Sequence, residues 1–182
     1  MAPPLASPML LVDGYNVVGA WPELRRARDR HNLDAARQQL IEVLINYSAF
    51  EGLDTRVVFD AQYQAAADSC EVITGNLAVC YTSFGQTADT YIEKICADFA
   101  TQYRSRKQRL IVATSDRAHW LMVVGYGAEW MPTQRLAEVV DATTRQVRHK
   151  QQPRRQPSRQ LLGERLKPIA RKHLEQLLTG LP

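Results

Sequence analysis

Cysteine is scarce in this 182-residue chain, and long apolar runs are missing. Cys70, Cys80 and Cys96 are odd in number, widely spaced and without a Cys-x-x-Cys. Neither a disulfide framework nor a zinc knuckle is indicated, so all three read as ordinary half-buried thiols. No apolar stretch approaches the ~20 residues that span a bilayer. The opening Met-Ala-Pro-Pro-Leu-Ala-Ser-Pro, read as a disordered N-terminus over residues 1–8, has no basic segment and no long apolar segment of a secretory signal. A cytoplasmic protein with no membrane partner is expected. Two glycine signatures are also lacking. The first apolar run leads into Asp-Gly-Tyr-Asn rather than Gly-x-Gly-x-x-Gly, and no Gly-x-x-x-x-Gly-Lys-Ser/Thr occurs, which disfavours dinucleotide oxidoreductases and P-loop nucleotidases.

Charge is unevenly distributed. Residues 1–144 carry 13 Lys/Arg against 17 Asp/Glu, a net of −4, whereas residues 145–182 carry 10 against 2, a net of +8. An acidic body with a basic extension suits an enzyme with a negatively charged metal site and a polyanionic substrate held partly by the extension. The plainer reading is a tail that only aids solubility.

From Met9 to Thr144, short β-rich runs alternate with helical periodicity, the pattern of an α/β domain with a mainly parallel sheet. Strands are predicted at 9–12, 55–59, 77–81 and 110–113, with a short fifth at 128–131. Helices are predicted at 32–50, at 88 to about 103 behind a Thr87 cap, at 118–124, and from Pro132-Thr133 to about 144. Residues 17–31 receive no assignment, and 61–76 read as mixed up to a Gly75-Asn76 turn. Residues 145–160, rich in Gln, Arg and Pro, read as a basic linker. Residues 161–182 read as an amphipathic C-terminal helix suited to docking on the domain or on a protein partner.

Carboxylates mark the ends of these elements. Asp13, Asp60 and Asp116 each follow an apolar run of strand length, and side chains at the carboxyl ends of adjacent parallel strands share one crevice. Asp89 and Glu93 lie four residues apart on the 88–103 helix. Acids so gathered repel one another unless cations hold them, which favours Mg²⁺ or Mn²⁺. Asn16 is placed to bridge Asp13 to substrate or to water, although Asp-Gly-Tyr-Asn is also an ordinary turn. Thr114 and Ser115 are placed to contact phosphate or to hold Asp116 in register, although Ser115 or Asp116 also suits a helix cap. Glycine at 14 allows a tight exit from the strand. His119, three residues after Asp116, is placed to face the crevice, although a helix-surface histidine is the ordinary reading, and no histidine pair suits metal-free RNA cleavage. Trp21, Trp120 and Trp130 read as core or rim residues, whereas Tyr15 and Tyr63 sit in crevice-side loops suited to base stacking. Arg104, Arg106, Lys107 and Arg109, with Arg148, Arg154 and Arg155 of the tail, are candidate phosphate contacts.

The set Asp13-Gly14-Tyr15-Asn16, Val58-Phe59-Asp60-Ala61, Thr87-Ala88-Asp89 with Ile92-Glu93, and Thr114-Ser115-Asp116 resembles the YacP-like branch of NYN-domain ribonucleases, relatives of the PIN nucleases. The resemblance covers about residues 9–142. It implies a PIN-like three-layer α/β/α sandwich, a Mg²⁺ or Mn²⁺ site for endonucleolytic cleavage of RNA, and a ribosome-associated setting. By motif position the catalytic acids are Asp13, Asp60, Asp89 and Asp116, all four also metal ligands, with Glu93 a further ligand. Gln86 departs from the pattern, since an acid is frequent there in the family. A Mg²⁺-dependent phosphomonoesterase and a non-catalytic RNA-binding protein with a vestigial metal site are the competing readings.

Overall fold

The computed structural model describes residues 7–60, 69–83, 85–103 and 108–151. Apolar residues with β-branched members set down three central strands: β1 (Met9–Asp13), β2 (Asp54–Phe59) and β5 (Leu110–Ala113). They are joined by β3 (Ser69–Thr74), β4 (Leu77–Tyr81) and β6 (Glu129–Met131) in a six-stranded sheet of order β3-β4-β2-β1-β5-β6. Every pairing is parallel except β3 with β4.

Both faces of the sheet are covered. Alternate residues Leu10 and Val12, Val57 and Phe59, and Ile111 and Ala113 face one core, shared with helices α1 (Gly14–Ala20), α2 (Pro22–Arg30), α3 (Leu33–Glu51) and α6 (Thr133–Gln151). The intervening Leu11, Val58, Leu110 and Val112 face a second core, built with α4 (Ala88–Asp98) and α5 (Arg117–Gly125). The result is a three-layer α/β/α sandwich, as the family resemblance implied, built on the mainly parallel sheet that the sequence pattern predicted.

Local chemistry sets the helix ends. Asn32 caps α3 by accepting the Ala35 N–H at 2.8 Å, and Gly52, at φ 66°, terminates it in the left-handed region. Thr87 caps α4 through the Thr90 N–H, as expected. A wide turn over Phe99–Tyr103 continues α4 to the predicted limit.

Several expectations change. Residues 17–31 form most of α1 and all of α2. In α2 Pro22 stands in the first turn and Leu24 is the sole buried residue of a charged segment, so no apolar stripe advertises the helix. β3 is an antiparallel edge strand inside the stretch read as mixed; its residues are almost all exposed, Val72 at 75%, so burial imposes no alternation. Helix α6 runs to Gln151, past the boundary read at 144 and into the presumed linker. Cys70 and Cys80 are not independent thiols. They face each other across β3 and β4 and form a disulfide, with Cα atoms 4.1 Å apart, while Cys96 stays buried and free. Without the hairpin register, nothing in their spacing shows this pairing. Chain contacts divide into two units, residues 1–147 and 148–182. The described part of the second is the last turn of α6, and the expected C-terminal helix lies outside the described residues. No helix among the described residues is long and apolar enough to cross a membrane.

Candidate metal centre

Strand order reverses beside β1: the chain moves outward through β2 and β4, then returns to place β5 on the other side. Such a reversal opens a crevice at the carboxyl ends of the strands. Asp13 ends β1, Asp60 directly follows β2, and Asp116 follows β5. Helix α4, packed on β1 and β2, brings Asp89 to the same end, and α5, packed on α4, brings His119.

Asp13 is 6% exposed and caps α1, one carboxylate oxygen accepting the Asn16 N–H at 3.0 Å. Its pKa is raised to about 6, chiefly by burial; Asp89 and Asp60 also push it up, against the opposing Asn16 hydrogen bond and His119. Asp89, more open, is also raised, first by burial and then by Asp116 and Asp60, with His119 opposing. His119 Nε2 lies 3.2 Å from Asp89 Oδ1. Among the described residues, one group of metal-ligating side chains converges: Asp13, Asp89 and His119, whose ligand atoms lie within 4.8 Å of one another. That spacing matches ligands held roughly 2.0–2.6 Å from one ion.

His119 is therefore not a surface residue. It is 8% exposed, and its Nδ1 is buried without a hydrogen-bond partner among the described residues. The available signal was its place in the first turn of a helix that leaves a strand-end aspartate. The donor set fits a small divalent cation: two carboxylates, one of them buried and destabilised in its charged form, with an imidazole beside them.

The other candidates divide. Asp60 accepts the Ala88 N–H, so it anchors the start of the helix that carries Asp89. Asp116 caps α5 through the Ala118 N–H at 2.8 Å. Glu93 is exposed and outside the converging group; it adds to the upward shift, mainly from burial, that takes the Cys96 thiol to about 12. Thr114 is fully buried, its hydroxyl accepting the Asp116 N–H at 3.1 Å. The Ser115 hydroxyl pairs with that of Thr133, and the Ser115 N–H donates to Asn16 Oδ1 at 2.9 Å. Asn16 thus bridges to the β5 loop.

Tyr15 is not an open platform. Its ring meets Phe59 edge-on at 5.2 Å between centroids, with the Arg37 guanidinium 5.1 Å from the ring centre. Arg109 precedes β5, at the end of the sheet opposite the crevice, and pairs with Glu129 through two hydrogen bonds of 2.7 and 2.8 Å. Arg148 lies exposed in the last turn of α6. Tyr63, Arg104, Arg106, Lys107, Arg154 and Arg155 lie outside the described residues.

A family model described as the YacP-like NYN domain matches residues 10–179. The chain belongs to the YacP-like NYN-domain family. YacP of Bacillus subtilis (strain 168) is 31% identical over 139 residues, 76% of this chain and 78% of that protein. The crystal structure of Rae1 (YacP) from Bacillus subtilis aligns with TM-score 0.64 and 28% identity, covering 94% of this chain and 90% of that one. A single-substitution mutant of the same protein aligns with TM-score 0.65 and 26% identity, covering 93% and 99%. The NYN domain has a PIN-like nuclease fold, and the crevice described above lies at the carboxyl end of its sheet. The family match extends to residue 179 and so takes in the basic segment, beyond the 9–142 span on which the sequence motifs fall.

Proposed function

We propose that this chain is a metal-dependent endoribonuclease of the cytoplasm, hydrolysing single-stranded RNA to leave 5′-phosphate and 3′-hydroxyl ends. The observation that carries the reading is the convergence of Asp13, Asp89 and His119 at the strand-order reversal of a nuclease-type domain. These three residues would hold Mg²⁺ or Mn²⁺, with Asp60 and Asp116 adding negative charge around them. When bound, the cation lowers the pKa of a water and neutralises charge developing on the phosphoryl oxygens.

The chain's own residues prepare this chemistry. The Asn16 N–H fixes one oxygen of Asp13, and the Asn16 side chain ties the β1 exit to the β5 exit. Asp60 fixes the start of α4, and Thr114 holds the backbone of Asp116. Fixed ligands lose little freedom when a cation and a phosphate arrive. The ten Lys/Arg of residues 145–182 supply salt-sensitive phosphate contacts, consistent with mRNA on the ribosome as the substrate.

The test is cleavage of an end-labelled single-stranded RNA by the full chain in Mn²⁺, Mg²⁺ and EDTA, with the product ends identified. Metal-dependent cuts with 5′-phosphates are expected. Products ending in 2′,3′-cyclic phosphates, or activity undiminished in EDTA, would overturn the mechanism.

A further inference from the structure

Next to Asp116 a separate cleft of about 620 Å³ opens between the end of α1, the loop after β5 and the start of α6. Its size falls within the range of small-molecule sites. Its apolar walls include Trp21, Trp130 and Pro132; its polar groups include Ser115, Arg117 and Gln134. Both indoles have their N–H groups occupied by backbone carbonyls, Trp21 on Thr133 at 2.8 Å and Trp130 on Thr114 at 2.9 Å. The rings are thereby fixed in orientation; Trp21, 7% exposed, belongs to the core and closes the cleft from behind, whereas Trp130 leaves π surface open to a ligand. Trp130 is still 38% exposed, and Trp120 packs against it with centroids 5.8 Å apart. Arg117 forms no ion pair among the described residues.

We infer that this cleft receives one nucleobase of the RNA, from a nucleotide flanking the scissile phosphate, and so sets base preference; the inference rests on the ribonuclease reading. The chemistry selects a flat heteroaromatic ligand attached to an anion. The exposed indole of Trp130 offers a stacking surface, the Gln134 amide both donates and accepts toward a base edge, and Arg117 offers a guanidinium to the phosphate. Ser115, on the cleft wall, donates its N–H to Asn16, whose own N–H is held by Asp13, so the cleft adjoins the acidic crevice and one strand of RNA serves both. A base must leave its stack to enter, which restricts the ligand to single-stranded RNA. Trp21 in the core and Trp130 at the rim, as read from sequence, together form fixed walls of this cleft.

The test uses the full chain carrying Asp13→Asn, so that binding is read without cutting. A fluorescein-labelled RNA hexanucleotide is titrated in Mg²⁺, with an abasic site moved through each position in turn. One position is expected to show an affinity loss of about tenfold. With Trp130→Leu or Gln134→Ala added, the intact RNA should lose a similar factor, and the abasic RNA should lose no more. Gln134 is exposed, so Gln134→Ala decides the matter if Trp130→Leu fails to fold; it should also level the preference among the four bases at that position. Equal penalties at every position, a position-specific penalty unchanged by Gln134→Ala, or no RNA binding would overturn the inference. Absence of cleavage by wild type in Mn²⁺, with the position-specific penalty intact, would overturn the nuclease reading and leave the base site standing.

Discussion

The side-chain oxygen of Asn16 accepts the backbone N–H of Ser115 at 2.9 Å, joining residues 99 apart in sequence. This one bond ties the exit of β1, with Asp13, to the exit of β5, with Asp116. Asn16→Ala should cost about 1 kcal/mol of stability, and a larger share of activity, about tenfold, because a small misplacement of catalytic groups is expensive. Thermal melts and cleavage rates of the two proteins check this. Equal values for both would show that the bridge holds nothing in place.

Asp13 links the site to stability. Its folded pKa of about 6 lies above the ordinary 3.8, chiefly through burial. The folded chain therefore binds this proton more tightly than the unfolded chain. The stabilisation is fully present below about pH 4 and is lost as pH rises through 6, an effect of roughly 2–3 kcal/mol. Without metal, Asp13→Asn should be more stable than wild type at pH 7 and comparable at pH 4. Added Mn²⁺ should raise the melting temperature of wild type at pH 7 and do much less for the variant. Melts at both pH values in EDTA and in Mn²⁺ decide this, and a variant less stable than wild type at pH 7 in EDTA would contradict it. In cleavage assays Asp13→Asn should lose at least about a thousandfold, on the scale of removing an essential catalytic group.

His119 gives the site a nitrogen donor where the sequence suggested oxygens alone. Imidazole suits Mn²⁺ better than Mg²⁺, whose preferred ligands are oxygens. His119→Ala should raise the Mn²⁺ concentration for half-maximal cleavage by about tenfold, on the scale of a lost ligand contact, with a smaller change for Mg²⁺. Metal titrations of cleavage rate test the difference. Superimposable curves for variant and wild type in both metals would remove His119 from the site.

What could be read from the sequence, and what could not, follows burial. β1, β2 and β5 are covered on both faces, so their apolar runs are continuous and their ends could be placed within a residue or so, which located Asp13, Asp60 and Asp116 at the crevice end. β3 and α2 bury too little for any periodicity to appear, and the Cys70–Cys80 pairing vanished from view with β3. Sequence leaves His119 open between crevice and surface, because its burial depends on the packing of α5 against α4, a long-range fact absent from the local pattern. Arg109 looked like a phosphate contact as part of a basic run, yet its position before a parallel strand puts it at the opposite end of the sheet from the crevice.

Gly14 follows Asp13 for a reason other than turn geometry. Its φ is not in the left-handed region, and a Cβ there would sit 2.5 Å from Cδ1 and 2.8 Å from Cζ of the Phe59 ring. That ring has nowhere to move. It is fully buried, met edge-on by Tyr15 at 5.2 Å, stacked with Tyr81 at 5.9 Å, and covered by Arg37 at 5.5 Å from its centre. Gly14→Ala should therefore destabilise by about 1–3 kcal/mol through overpacking, and should slow cleavage by displacing Asp13. A Cβ at Gly19, in the same helix, would meet nothing within 4 Å. Gly19→Ala should instead be neutral or stabilising by up to about 1 kcal/mol, since alanine gives up less backbone entropy in a helix. Denaturant unfolding of the two variants in parallel separates the causes. If both were equally stable, the approach of Phe59 would not be what requires glycine beside Asp13.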